Sequence, residues 1–74
     1  MAENKTLGGR LLEAMTDKGW GLFQFSQACG IREATLRTWI GDSCEPLASS
    51  LGKACRALEV NMDWVLTGEG RKES

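Results

Sequence analysis

The chain has 74 residues, nine of them basic and ten acidic, with a formal charge of −1 and an isoelectric point near 5.3. Such a length supports one small domain, and this charge balance argues against the broad basic surface usual among nucleic-acid binders, although a few well-placed charges could still read DNA. The absence of histidine removes the commonest general base and metal ligand, and no apolar run reaches the length of a membrane span.

Three cysteines, Cys29, Cys44 and Cys55, are odd in number and widely spaced. They match neither a disulfide framework nor a CxxC metal site, so we expect reduced thiols in a cytoplasmic protein. The opening MAENKT has no apolar run, from which we expect no signal peptide. Because the chain also has no phosphate loop or nucleophile motif, we expect no enzyme activity, no cofactor, no metal, no membrane association and no small-molecule substrate.

Apolar residues at helical spacing predict five short helices and no strands. In the first helix, Leu7, Leu11, Ala14 and Met15 form one apolar stripe. The predicted segments are an N-terminal arm (residues 1–5), helices at about 6–18, 22–29, 32–40, 46–58 and 62–66, and a flexible tail (residues 68–74). The fold class is therefore all-α, a compact five-helix domain.

Glycine, proline and asparagine mark the ends of these helices. Gly30 ends the second helix, and Gly41 follows the third. Pro46 suits the first turn of the fourth helix, and Asn61 can cap the fifth. The connection between the second and third helices is as short as in a helix-turn-helix, in which the later helix reads DNA.

A step of about 100° per residue divides the third helix into two faces. Leu36, Trp39, Ile40 and Thr35 define the buried side. The other side is mixed in charge, and for this helix alone an ordinary solvated face is the simpler interpretation. The candidate DNA contacts on or beside it are Arg32, Glu33, Ala34, Arg37 and Thr38, with Ser43 in the following loop.

The chemistry of these side chains suits different parts of a duplex. Arg37 could pair with guanine through two hydrogen bonds or with a phosphate. Thr38 could hydrogen-bond to a base or touch the thymine methyl group, and Glu33 could accept from cytosine while repelling phosphate. Ser43 could donate to a phosphate.

Six short motifs follow one another between Leu7 and Gly70. In chain order they are LGGRL, the Lys18–Gly19 helix stop, ACGI, TLRTW, the Glu45–Pro46 helix start and CRALEVNMDWVLTGEG. In this order and spacing the chain resembles the lambda-repressor-like, Cro-type helix-turn-helix regulators, especially small phage-repressor-like members. The resemblance implies a five-helix domain that binds operator DNA, usually as a homodimer. It also implies a dimer contact on the fifth helix, formed by Met62, Trp64 and Val65, although core packing of Trp64 is an equal alternative.

The chain departs from that family at several positions. Gly21 and Leu22 replace a serine–glutamine pair that in the family caps the second helix and contacts a phosphate. Basic or amide residues are common in the family at the positions of Thr38, Gly41 and Asp42. We therefore expect weak binding to the DNA backbone. Met15 and Ile40 replace an arginine–glutamate pair, an exchange that can be neutral or stabilising.

The remaining aromatic residues have structural interpretations. We expect Trp39 to fill the core between the third and fourth helices. Trp20, with Phe23 beyond it, suggests a hydrophobic staple at the start of the second helix, or a partner-binding patch if exposed. Cys29 and Cys55 suit the core, and Cys44 lies in a loop.

Two functions from different classes remain. The first is a sequence-specific DNA-binding transcriptional regulator that binds double-stranded operator DNA, a palindrome, as a dimer. The alternative is a protein-binding adaptor or antitoxin-like module with weak or no DNA binding. Whether the chain is a whole regulator or the N-terminal part of a larger repressor is open.

Overall fold

The computed structural model describes residues 6–73, and these form five helices in chain order. The helices are α1 (Leu7–Asp17), α2 (Leu22–Cys29), α3 (Glu33–Ile40), α4 (Ala48–Leu58) and α5 (Met62–Thr67). Extended pairing within residues 6–73 is limited to an isolated antiparallel bridge between Val60 and Glu73. The predicted all-α, five-helix class is confirmed, while the predicted arm of residues 1–5 lies outside the described residues.

The start of α4 differs from the prediction. Leu47 is extended, with φ −69° and ψ 147°, and it forms the N-cap of a helix that begins at Ala48. Pro46 therefore precedes the helix and does not lie in its first turn. A proline disfavours the helical conformation in the residue before it, so it indicates that a helix starts nearby. It does not indicate which residue is the first of that helix.

The core receives one fully buried large side chain from every helix. These are Leu11, Phe25, Leu36, Leu51 and Val65, in chain order. The most extensive helix contacts are α1–α3, α2–α3, α2–α4, α1–α5 and α4–α5. Trp39 is buried, as predicted. Since α3 packs mainly on α1 and α2, the expected position of Trp39 between the third and fourth helices does not correspond to a major helix contact.

The closest approach of two helices occurs where the start of α1 crosses the end of α3. A Cβ atom added at Gly8 would lie 2.4 Å from the carbonyl oxygen of Ile40 and 2.5 Å from that of Trp39. Glycine is needed here because any side chain would overlap the backbone of α3. Met15, later in α1, is buried and Ile40 packs against the core, so both apolar replacements contribute to packing.

Arg10 is a buried cation that holds α5 against α1. Its Nε atom donates to the carbonyl oxygen of Val65 at 2.7 Å, and Nη2 donates to that of Leu66 at 3.1 Å. These carbonyls belong to the last turn of α5, where a cation interacts favourably with the helix dipole. The sequence interpretation placed Arg10 only within a motif and missed this contact.

The segment after α5 returns to the body of the domain. The amide of Asn61 donates to the carbonyl oxygen of Lys72 at 2.8 Å, and Lys72 forms ion pairs with Glu13 and Asp17 on α1. The sequence predicts a flexible tail at residues 68–74. Within this tail the structure places Lys72 in contact with α1 and with the N-cap residue of α5, and Glu73 in a bridge with Val60. The flexibility of the tail stays a prediction.

Candidate nucleic-acid interface

The connection between α2 and α3 consists of three residues, Gly30 to Arg32. Gly30 has the left-handed conformation, with φ 75° and ψ 22°, and its amide donates to the carbonyl oxygen of Ser26 at 2.8 Å. The Ser26 hydroxyl donates to the carbonyl oxygen of Ile31 at 2.6 Å, and Ile31 packs partly against the core. These contacts determine the direction in which α3 leaves the turn.

The division of α3 into two faces is confirmed. Leu36 is fully buried and Trp39 is 4% exposed, while Thr35 and Ile40 are half-buried. On the opposite side, and in the loop after α3, the structure places every predicted DNA contact at the surface. Arg32, Ala34, Arg37, Thr38 and Ser43 are exposed, and Glu33 is half-buried.

Two of these side chains have partners on α3 itself. Nη2 of Arg37 lies 4.0 Å from Oε1 of Glu33 one turn earlier, and the Arg37 side chain remains 67% exposed. The hydroxyl of Thr38 donates to the carbonyl oxygen of Thr35 at 2.6 Å. Because the hydroxyl proton of Thr38 is engaged in this hydrogen bond, the groups that Thr38 offers to solvent are its oxygen lone pairs and its methyl group. It is therefore suited to accept a hydrogen bond.

The loop after α3 has a structural role that the sequence interpretation missed. Asp42 has a φ of 59°, and its Oδ1 accepts from the amide of Gly8 at 3.0 Å, near the start of α1. Its carboxylate thereby joins Thr6, whose hydroxyl accepts from the amide of Gly9 at 3.0 Å, in capping α1. The acidic departure at position 42 is thus part of the fold. Aspartate tolerates left-handed conformations better than most residues, which was the available clue.

The start of α2 lacks a capping side chain. Gly21 is the N-cap residue, and its amide donates to Oε1 of Gln24 at 2.8 Å, so Gln24 provides half of a capping box. The rings of Trp20 and Phe25 stack with their centroids 6.3 Å apart. Because these residues flank the N-cap at the two staple positions, the expected staple is confirmed for Trp20. Phe23 lies outside it and is 60% exposed.

The predicted dimer contact is changed by the burial of one of its members. Val65 is fully buried in the core, so its side chain cannot reach a partner, and we remove it from the predicted interface. Met62 and Trp64 are half-buried. The next residue, Leu66, is 47% exposed and was not selected from the sequence. Neighbouring side chains on a helix point about 100° apart. In a helix as short as α5, the spacing of apolar residues does not show which of two neighbours faces the core.

The three thiols have different environments, and none forms a disulfide. Burial raises the pKa of the Cys55 thiol to about 11, and burial also raises the pKa of Cys29. Cys44 is exposed in the loop after α3. Within residues 6–73, no group of three or more cysteine, aspartate or glutamate residues is arranged to hold a metal ion, and no helix is long and apolar enough to cross a membrane.

Comparison of this chain with models of known protein families, with curated proteins and with solved structures finds no match.

Proposed function

We propose that this chain is a sequence-specific, DNA-binding transcriptional regulator of the lambda-repressor-like type, with α3 as its recognition helix. The observation that carries this proposal is the turn from Gly30 to Arg32 together with the face of α3 that follows it. The turn has a defined conformation, and α3 buries Leu36 and Trp39 while leaving its polar face open. A rigid helix with a free polar face is what the major groove accommodates.

Arg37 is the proposed base-reading residue of this face. A guanidinium can form two hydrogen bonds with guanine, and the exposed side chain of Arg37 has only a long, solvated contact with Glu33 to give up. Thr38 would accept from an exocyclic amino group or touch a thymine methyl group. Glu33 would restrict the acceptable sequences, because it repels phosphate and accepts only from donors such as the cytosine amino group.

Contacts with the DNA backbone would be few. Gly21 has no side chain to contact a phosphate at the start of α2, and Asp42 uses its carboxylate to cap α1. Arg32 and Ser43 remain as exposed groups that could bind phosphates. Since each neutralised phosphate adds to the dependence of affinity on salt, we propose a shallow salt dependence for this protein.

A dimer would place two copies of α3 in successive major grooves, about 34 Å apart. Met62 and Trp64 on α5 are half-buried and pack against the core, and their exposed parts are proposed for the contact between copies. For Trp64 this contact would require displacement of the Lys72 ammonium group, which lies 5.4 Å from its ring centroid. The proposed binding site is therefore a palindrome in double-stranded DNA.

The experiment that tests this function is selection of bound sequences from random duplex DNA at low salt, combined with measurement of the mass of the complex. We expect a palindromic consensus and a complex of two chains on one duplex. A variant with Arg32 and Arg37 both replaced by alanine should lose the enrichment, whereas R56A, on an exposed position of α4, should retain it. Folded protein that enriches no sequence would contradict the proposal.

One observation favours the alternative of a protein-binding module on the same scaffold. Phe23 is 60% exposed near the start of α2, outside the Trp20–Phe25 staple. A large exposed aromatic side chain is typical of protein interfaces. If this alternative is correct, F23A will abolish complex formation with a protein partner and the chain will not bind DNA at low salt. If the regulator proposal is correct, F23A will leave the selected consensus unchanged.

A further inference from the structure

Residues 69–73, here called the C-terminal strap, turn back from α5, and Lys72 within them contacts α1. Gly68 and Gly70 have φ values of 81° and 85°, a conformation that glycine adopts without strain and that allows the chain to reverse direction. The amide of Asn61 then donates to the carbonyl oxygen of Lys72, and Val60 forms a bridge with Glu73. The strap is thus attached to the chain between α4 and α5 by its backbone.

Lys72 provides the main side-chain contact of the strap. Its four neighbours in the strap are exposed, whereas Lys72 is half-buried. Its Nζ atom donates to the carboxylates of Glu13 and Asp17 and lies 5.4 Å from the ring centroid of Trp64. Glu13 and Asp17 are one turn apart on α1, and Trp64 belongs to α5, so two helices supply the surroundings of one ammonium group.

These surroundings have the chemistry of a cation-binding site. Two carboxylates accept charge-assisted hydrogen bonds, and the face of an indole attracts a cation. The hydrogen bonds to Asp17 and Glu13 accordingly raise the pKa of Lys72 above its ordinary value of 10.5. Loss of the Lys72 charge would remove a cation that lies between two carboxylates one turn apart on α1, where like charges repel each other.

We propose that Glu13, Asp17 and Trp64 form a binding site for an alkylammonium group, that Lys72 is its intramolecular ligand, and that the positive charge of Lys72 keeps the strap closed over Trp64. Apart from Lys72, the strap has exposed side chains and little backbone pairing, which is the profile of a segment that opens locally. Loss of the charge therefore opens the strap and uncovers Trp64. This inference does not depend on DNA binding, and a dimer contact through Trp64 would require the strap to open.

The first experiment measures hydrogen exchange at the Asn61 amide, which donates to Lys72, in variants that differ only in charge. We expect K72Q to speed exchange by about five- to tenfold and K72R, which keeps the cation, to stay within about twofold of the parent chain. R71Q is the matched control, because it removes the same charge from an exposed neighbour. Parent-like exchange in K72Q, or equal acceleration in R71Q, would overturn the proposal.

The second experiment tests the site without its own ligand, in a variant whose NMR spectrum shows that the domain remains folded. K72A is titrated with Nα-acetyl-lysine amide, and the indole N–H resonance of Trp64 is followed by NMR. Nα-acetyl-norleucine amide, which has the same chain length without the ammonium group, is the control probe. We expect a saturable shift in the millimolar range with the lysine probe alone, and loss of that shift when D17N is added. Equal responses to both probes, or no response to either, would refute the site.

Discussion

Arg37 and Glu33 form a long, exposed ion pair on the candidate recognition face. Their side chains are one helical turn apart and 4.0 Å apart at the nearest nitrogen and oxygen. Exposed pairs of this kind contribute little to stability, since both groups are well solvated. The pair therefore leaves Arg37 free to exchange its partner, and the importance of Arg37 should appear in binding to DNA and not in folding.

Replacement of Arg37 by alanine should weaken binding to the selected operator by about 1–3 kcal/mol, because the variant loses two hydrogen bonds to a guanine. The same replacement should change the free energy of unfolding by less than about 0.5 kcal/mol. Fluorescence anisotropy at one fixed salt concentration measures the first quantity, and R56A serves as the matched loss of an exposed arginine. Equal affinities of R37A and the parent chain would remove Arg37 from the base-reading role.

Asp42 is the second residue whose role depends on a single contact. D42A should destabilise the fold by about 1–2 kcal/mol, because the amide of Gly8 loses its acceptor and alanine is strained at a φ of 59°. D42N keeps an oxygen acceptor and tolerates the left-handed region, so it should lie close to the parent chain. Urea unfolding of the three proteins provides the measurement. Equal losses in both variants would show that charge, and not the cap, is what position 42 supplies.

At the scale of elements, a few contacts between residues far apart in the sequence join the helices. Gly8 brings α1 against the backbone of α3, and Arg10 joins α1 to the last turn of α5. Lys18, just after α1, pairs with Glu59 at the end of α4 at a distance of 2.8 Å. The first two are buried and demanding in geometry, whereas the third is exposed and electrostatic.

Two glycines in helices should respond to alanine in opposite ways. G8A should destabilise the fold by about 1–3 kcal/mol, because the new methyl group overlaps the carbonyls of Trp39 and Ile40 and pushes α1 from α3. G52A, in α4, meets no atom within 4 Å and should stabilise the fold by about 0.5–1 kcal/mol through helix propensity. Chemical denaturation measures both. A neutral G8A would disprove the close contact between α1 and α3.

The pair between Lys18 and Glu59 predicts a pH dependence of defined sign. A hydrogen bond and the charge of Lys18 lower the pKa of Glu59 below its ordinary value of 4.5. The resulting stabilisation is present above pH 4.5 and is lost as the pH falls through the lowered pKa. The difference in unfolding free energy between the parent chain and E59Q should therefore shrink in acid. A difference that is constant from pH 7 to about pH 3 would contradict the pairing.

At the scale of the whole molecule, packing decides which groups solvent can reach. The core encloses Cys29 and Cys55 among side chains from several helices, and burial raises the pKa of both thiols. Cys44, in the loop after α3, is exposed. The reactivity of the three cysteines therefore reports on the integrity of the complete fold.

Treatment with iodoacetamide at pH 8 should label Cys44 first in the folded protein and all three cysteines once the chain is unfolded. Thiolate is the reactive form, and burial both raises the thiol pKa and blocks access. Mass spectrometry after timed quenching measures the adducts, and C44S should remove the fast step. Labelling of Cys55 at the rate of Cys44 in native buffer would contradict the packing of α4.

Several features of this domain could be predicted from local spacing along the chain. These are the five helices, the stop at Gly30, the buried stripe of α3 and the staple at Trp20. Each follows from a helical period or from the conformational preference of a residue and its near neighbours, which a sequence displays directly.

The contacts that join distant positions could be recognised only in the folded domain. Asp42 caps a helix start 34 residues earlier, Arg10 reaches carbonyls 55 and 56 residues later, and Lys72 binds Glu13 across 59 residues. The burial of Val65 belongs to the same group, because α5 is too short for its own pattern to show which side meets the core. Polar partners at such separations leave no period in a sequence. Which polar groups meet depends on how the helices pack, because the packing sets the positions of the helix ends.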